Sequence, residues 1–222
     1  MAYFDKDFLA FFKELEANNH KDWFDDNRKR YEKIVKEPFK IFVDVMIERM
    51  RETDPNINIT PKDAIFRINR DIRFSKDKTP YKTHYSAAIS PGGRKDHTTP
   101  GLYIQMNHTD LRIYSGMYMM EKEQLHTVRS YISENLEEFD NALNDKNFKK
   151  IFGQVHGEKN KRLPKEFQEA GEQQPLLYNK GFYFYHIMDS TVILKDDLPT
   201  IIMDTYSAGK PVRDFLVEAL GE

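Results

Sequence analysis

The chain of 222 residues has no cysteine. Disulfides, thiolate metal sites and cysteine nucleophiles are therefore excluded together, and any metal must be held by His, Asp or Glu. No stretch approaches the roughly 20 apolar residues of a membrane-spanning helix. Residues Met1 to Phe12 interrupt their aromatics with Asp5, Lys6 and Asp7 and lack the basic start and apolar run of a secretory signal. These features predict a soluble, cytoplasmic chain with no membrane partner. The charge is nearly balanced, at −2, which argues against a globally basic nucleic-acid binder and leaves room only for a local patch.

Aromatic side chains are plentiful. Sixteen Phe, twelve Tyr and one Trp accompany a charged fraction of 32% and an apolar fraction of 39%. Disordered chains are poor in aromatics, so this one is expected to fold, as a single domain spanning 1–222 with a real core.

Hydrophobic spacing predicts an α+β fold: a mostly antiparallel sheet covered by N-terminal and C-terminal helices. Residues 5–53 read as helices, with Phe8, Phe12 and Leu15 on one face and Phe39, Val43, Met46, Ile47 and Met50 on another. Pro38 is expected in the first turn of a new helix. From Ala64 the period changes to two. Phe66, Ile68, Ile72 and Phe74 oppose Arg67, Asn69, Asp71 and Arg73, the pattern of a half-buried strand. A second strand is expected at Tyr85 to Ile89. A hairpin from Leu102 to Ser115 is closed by Asn107-His108-Thr109-Asp110. Leu125, Val128, Ile132, Leu136 and Phe139 predict one amphipathic helix, and a short helix from Phe148 to Phe152 ends at Gly153. Residues 154–180 read as a mobile polar loop, Tyr178 to Met188 as a buried strand, and Pro199 and Pro211 open two last helices separated by Gly209.

The chemistry concentrates between Lys62 and His84. Seven cations there (Lys62, Arg67, Arg70, Arg73, Lys76, Lys78, Lys82) face three carboxylates (Asp63, Asp71, Asp77). On a strand, Asp71 would lie between Arg67 and Arg73 and hold both by charge-assisted bonds. Arg70 has apolar parity, so it needs a bulge or a buried partner. Ser75 to Lys82 is too polar for a core, and Pro80 forbids helix there. Several Lys and Arg side chains on a loop beside a strand form a plausible site for phosphate or carboxylate. The expected ligand contacts are Arg67, Arg70, Arg73, Lys78, Tyr81 and Lys82, with Asp71 and His84 as proton acceptors near the bound anion. The partner expected is an anionic small molecule. A nucleic-acid interface and a purely structural Arg–Asp lattice are the two rival readings.

The run Arg67-x-x-Arg70-Asp71-x-Arg73-Phe74-x-x-Asp77-Lys78-x-x-Tyr81-Lys82 resembles the signature of a bacterial family, domain of unknown function 2461. Trp23-Phe24 with Arg28 and Tyr31 resembles its early helical motif. Gly116-Met117-Tyr118, ahead of Leu125 and Arg129, resembles its second, with Ser115 and Met120 standing where glycine and proline are expected. The resemblance covers nearly the whole chain and implies the domain and the segment of interest, but no reaction.

Other motifs point to bland roles. The seven histidines show neither H-E-x-x-H nor H-x-H spacing, so no metal site is expected. Asp96-His97 reads as a hairpin tip. Pro91-Gly92-Gly93-Arg94-Lys95 could cradle a phosphate but lacks the Walker and dinucleotide contexts, so the turn is the favoured reading, and no cofactor is named by any motif. No G-x-S-x-G is present, and Ser75 and Ser86 have no claim as nucleophiles. Tyr103, Tyr114, Tyr118, Tyr183 and Tyr185 are expected to fill core in preference to stacking bases. Arg28, Lys29, Arg30 and Lys33 alternate with acids as on a solvated helix face.

Overall fold

The helices begin where the sequence supplies caps. In the computed structural model, which describes residues 2–96 and 99–221, the Asp5 carboxylate accepts the N–H groups of Asp7 (2.8 Å) and Phe8 (3.2 Å), opening α1 (Lys6–Ala17). His20 caps α2 (Lys21–Asp26) through Nδ1. Helix α3 (Arg28–Tyr31) runs through a π turn, Glu32–Lys36, into α4 (Glu37–Arg51). Pro38 falls in the first turn of α4, as its position predicted, although α4 follows the π turn without a break. It lacks an N–H, its ring crowds the carbonyl four residues back, and the widened turn accommodates it, with the Glu37 N–H reaching Glu32 O. Thr60 and Asp63 form a capping box on α5 (Pro61–Ala64).

Four strands form one antiparallel sheet in the order β1 (Tyr85–Ile89), β2 (Leu102–Met106), β3 (Asp110–Met117), β4 (Phe182–Asp189). The β2–β3 hairpin closes where its turn residues predicted. The Asn107 side-chain oxygen accepts from the Thr109 and Asp110 N–H groups. Along β3 the alternation is strict: Leu111, Ile113, Ser115 and Met117 are buried, with Arg112 and Tyr114 on the other face.

Backbone contacts divide the chain into two compact units: Met1–Lys95 with Tyr103–Ile113 and Ile187–Met203, and Asp96–Leu102 with Tyr114–His186 and Asp204–Glu222. The first is built on rings. Phe8, Phe11, Phe12, Phe24, Phe39 and Phe42 are buried, and Phe39 lies 4.7 Å from Tyr85 of β1. Each such ring contributes roughly 1.5–3 kcal/mol through its burial.

The second unit carries α6 (Lys122–Glu134), α7 (Leu136–Leu143), α8 (Lys146–Ile151), α9 (Gln168–Gln173) and α11 (Lys210–Glu218), which follows α10 (Leu198–Ala208) after Gly209. The single helix expected from Leu125 to Phe139 is broken at Asn135, whose backbone leaves the helical region. Val128 and Ile132 are fully buried before the break and Phe139 after it. Gly153 ends the short helix with φ 77°, as its position predicted.

Residues 154–180 are not a mobile loop. Val155, Leu163, Phe167 and Leu177 are buried, and His156 and Lys159 bridge Tyr183 and Asn179. The buried Arg129 guanidinium satisfies the carbonyls of Leu177 (2.8 Å) and Asn179 (3.0 Å), fixing this segment by charge-assisted bonds. Strand β4 is buried on one face only, by Phe182 and Phe184. The tyrosines expected in the core lie instead on the alternate positions. Tyr103, Tyr114, Tyr183 and Tyr185 are partly buried and Tyr118 is exposed. His97, the expected hairpin tip, lies outside the described residues.

Candidate anion-binding site

The Arg67 segment is not a regular strand. Residues 65–70 run antiparallel to 80–87, but only two isolated bridges form, Ile65 with Ala87 and Asn69 with Tyr81. Backbone bonds from Phe66 to Ser86 O, Lys82 to Ile68 O and Arg70 to Pro80 O hold the pair together. Between the bridges the outgoing arm has three residues, 66–68, and the returning arm five, 82–86. This bulge interrupts the alternation, and it lets Lys82 and Tyr85, of opposite parity, line the same cavity. Phe74, expected on the buried face, is 95% exposed, because the two arms part beyond Arg70.

The Tyr81 ring anchors the returning arm. It stacks on Phe24 at 4.0 Å and 16°, and its backbone exchanges two hydrogen bonds with the Asn19 side chain. Arg70 has the partner its parity required: its guanidinium donates to Asp77 and to the Thr79 carbonyl. The Thr79 N–H and then Arg70 pull the Asp77 carboxyl down to about 2. Lys78 donates to the Ile72 carbonyl at 2.9 Å. Asp71 takes Arg73 in a two-point clasp, through Nε at 3.0 Å and Nη2 at 2.7 Å. That clasp lowers Asp71 to about 2, with the Arg67 charge a smaller influence. Asp71 therefore holds one arginine by hydrogen bonds, where the spacing predicted two.

Arg67 is left with no hydrogen bond or ion pair among the described residues. It opens into a cavity of about 650 Å³ within the first unit. Seven cations line this cavity, Lys36, Lys40, Lys62, Arg67, Lys82, Arg94 and Lys95, against the single carboxylate of Asp71. Ile65, Phe66, Pro61 and Tyr85 supply apolar wall. Lys36 and Lys40 come from successive turns at the start of α4, spaced to share one helix face. Arg94 and Lys95 are delivered by a 3₁₀ turn, Gly93–Lys95, and Arg94 donates to the Lys62 carbonyl. Gly93 is required there: φ is +62°, and a Cβ would lie 2.8 Å from the Asp63 carbonyl oxygen.

Lys82 is partly buried, its ammonium 5.1 Å from the Phe66 ring centroid. Burial, and then Arg67, hold its pKa below the ordinary lysine value. His84 does not line the cavity. Burial, then the charges of Lys82 and Arg112, push the imidazole down to about 4, against the opposing pull of Asp110.

Of the eight side chains singled out from sequence, the cavity brings together Arg67, Asp71 and Lys82. Arg70, Arg73 and Lys78 are engaged within their own loop, while Tyr81 serves as an anchor. A family model described as conserved hypothetical protein (DUF2461) matches residues 7–215. The chain belongs to the DUF2461 family. No curated protein and no solved structure matches it. In this DUF2461 chain, sequence reasoning missed Lys36 and Lys40 as cavity residues and set Arg94 and Lys95 aside as part of a turn. The four-residue spacing of the first pair and the Gly-Gly turn before the second were the available signals. Among the described residues no three His, Asp or Glu side chains converge as a metal would need.

Proposed function

We propose that this chain is a cytoplasmic protein that binds an anionic small molecule, most naturally a phosphorylated one, in the cavity around Arg67. The observation that carries the reading is the imbalance of the cavity wall: seven cations face one carboxylate, and Arg73 already occupies that carboxylate. Like charges about 4 Å apart repel by about 1 kcal/mol in water and about 4 kcal/mol where the effective dielectric falls to about 20, and an anion placed among cations offsets such repulsion. Arg67 offers a planar fork not consumed by any carboxylate, the geometry that grips phosphate at two points. The volume falls in the range of roughly 300–1,000 Å³ typical of small-molecule sites, and the apolar wall suits the body of a ligand. In this reading Arg67 is the fork, and the lysines with Arg94 supply the field. Asp71, Arg70 and Lys78 keep the loop in shape. An acceptor lowered to about 2, as Asp71 is, is poorly suited to take a proton.

Thermal shift against inorganic phosphate, pyrophosphate, nucleotides and sugar phosphates tests the proposal. A binder at about 100 times its Kd adds about 2.7 kcal/mol of apparent stability. The gain should shrink in Arg67→Lys and vanish in Arg67→Ala, with both variants folded. No stabilising anion, or stabilisation indifferent to Arg67, would refute it. A submicromolar complex with a single-stranded oligonucleotide would transfer the patch to nucleic acid.

A further inference from the structure

Five lysines and arginines of the cavity wall suit a purely electrostatic role, but Lys82 differs from the wall's other lysines. Lys36, Lys40, Lys62 and Lys95 are exposed, whereas Lys82 is partly buried against Phe66. Its ammonium has no carboxylate or hydrogen-bond acceptor among the described residues, and the charge that bears on it most is another cation, Arg67. Its backbone is fixed by the bond to Ile68 O at 2.8 Å and by the neighbouring Tyr81–Phe24 stack. A lysine desolvated beside a second cation is the arrangement that frees an amine lone pair for attack on carbonyl carbon. The bulge at 82–86 turns this amine into the anion-binding cavity.

We propose that Lys82 is an imine-forming nucleophile that captures the carbonyl group of an anionic aldehyde or ketone held by Arg67. The neutral amine adds to the carbonyl carbon, and the C=O π pair becomes a carbinolamine hydroxyl. That hydroxyl leaves as water with both former amine protons while the C=N bond forms, so no oxidant or reductant is needed. The inference rests on the anion-binding reading of the same cavity. Burial and Arg67, which together lower the Lys82 pKa, favour the neutral amine the addition requires.

The test uses the full wild-type chain, so it does not depend on a variant folding. The protein is mixed with pyridoxal 5′-phosphate, an aldehyde bearing a phosphate, or with phosphate-free pyridoxal, then reduced with borohydride and mapped by peptide mass spectrometry. The expected result is a secondary amine concentrated on Lys82, several-fold above Lys36, Lys40, Lys62 and Lys95. It should be weaker with pyridoxal and lost when excess pyrophosphate competes. Label spread evenly over the exposed lysines, while pyrophosphate still stabilises the protein, overturns the nucleophile and leaves the anion site standing. Failure of pyrophosphate to stabilise or compete overturns the anion site, and the proposal with it.

Discussion

Acidification should expose His84 before any carboxylate of the loop. The imidazole is held at about 4, against about 6.5 for a free one, chiefly because burial penalises the cation and because Lys82 and Arg112 repel it, Asp110 only partly offsetting them. Its folded value is depressed, so the unfolded chain binds a proton that the folded chain refuses. Stability then rises with pH through the window between the two values. Above about pH 6.5 both states are neutral and His84 costs nothing. Below that, the folded state loses ground until it too is protonated near pH 4. Integrating between those two values, the loss from about pH 7 to about pH 5 is roughly 2 kcal/mol. Asp71 and Asp77, held at about 2, lose their stabilising protonation difference only as pH falls from about 4 toward 2, so the His84 window is clear of them.

The assay is urea denaturation of the wild type and of His84→Gln at about pH 7 and about pH 5. Glutamine keeps polar bulk and removes the titration, so the wild type should lose roughly 2 kcal/mol more than the variant between the two conditions. NMR titration of the ring should show it neutral throughout that interval. Equal losses in the two proteins, or a ring that titrates near its free value, would refute the burial argument and the crowding of His84 by Lys82 and Arg112.

Two further outcomes separate scaffold from site. Tyr81→Ala should cost about 3–5 kcal/mol in denaturation, because it deletes a buried ring stacked 4.0 Å from Phe24, whereas Tyr81→Phe should change stability by less than about 1 kcal/mol and leave anion binding intact. A Phe variant that folds normally yet loses anion binding would make Tyr81 a ligand contact after all. Gly93→Ala should lower stability by about 1–3 kcal/mol through positive φ and collision with the Asp63 carbonyl, and it should weaken anion stabilisation by displacing Arg94 and Lys95. An alanine variant of unchanged midpoint and unchanged ligand response would show that this turn is not what positions them.

Local rules made most of the fold legible, and long-range geometry hid most of the candidate site. Asp5, the Asn107 turn, Gly153 and the alternation of β3 each act through neighbours within a few residues, so sequence alone located their elements. The same rules failed where tertiary structure overrode them. Asn135 splits a helix whose apolar period continues across it. Residues 154–180, polar by count, bury four apolar side chains and lend two carbonyls to Arg129. The Arg67 segment alternates like a strand, and parity led to Asp71 clasping both Arg67 and Arg73. The arms part beyond Arg70, so Asp71 closes on Arg73 two residues away, while a bulge in the opposite arm breaks the alternation around Arg67. Its consequence is chemical as well as geometric. Because Asp71 is spent on Arg73, Arg67 keeps its donors. Because the bulge brings Lys82 to the cavity beside Phe66, a lysine that sequence would place on a solvated loop is partly buried, with its pKa lowered by that burial and by Arg67. The charge run pointed to a segment of which Arg67, Asp71 and Lys82 line the cavity, but which of its cations remain free is decided by pairings between the two arms, and the rest of the wall arrives from α4 and from the turn after Gly93.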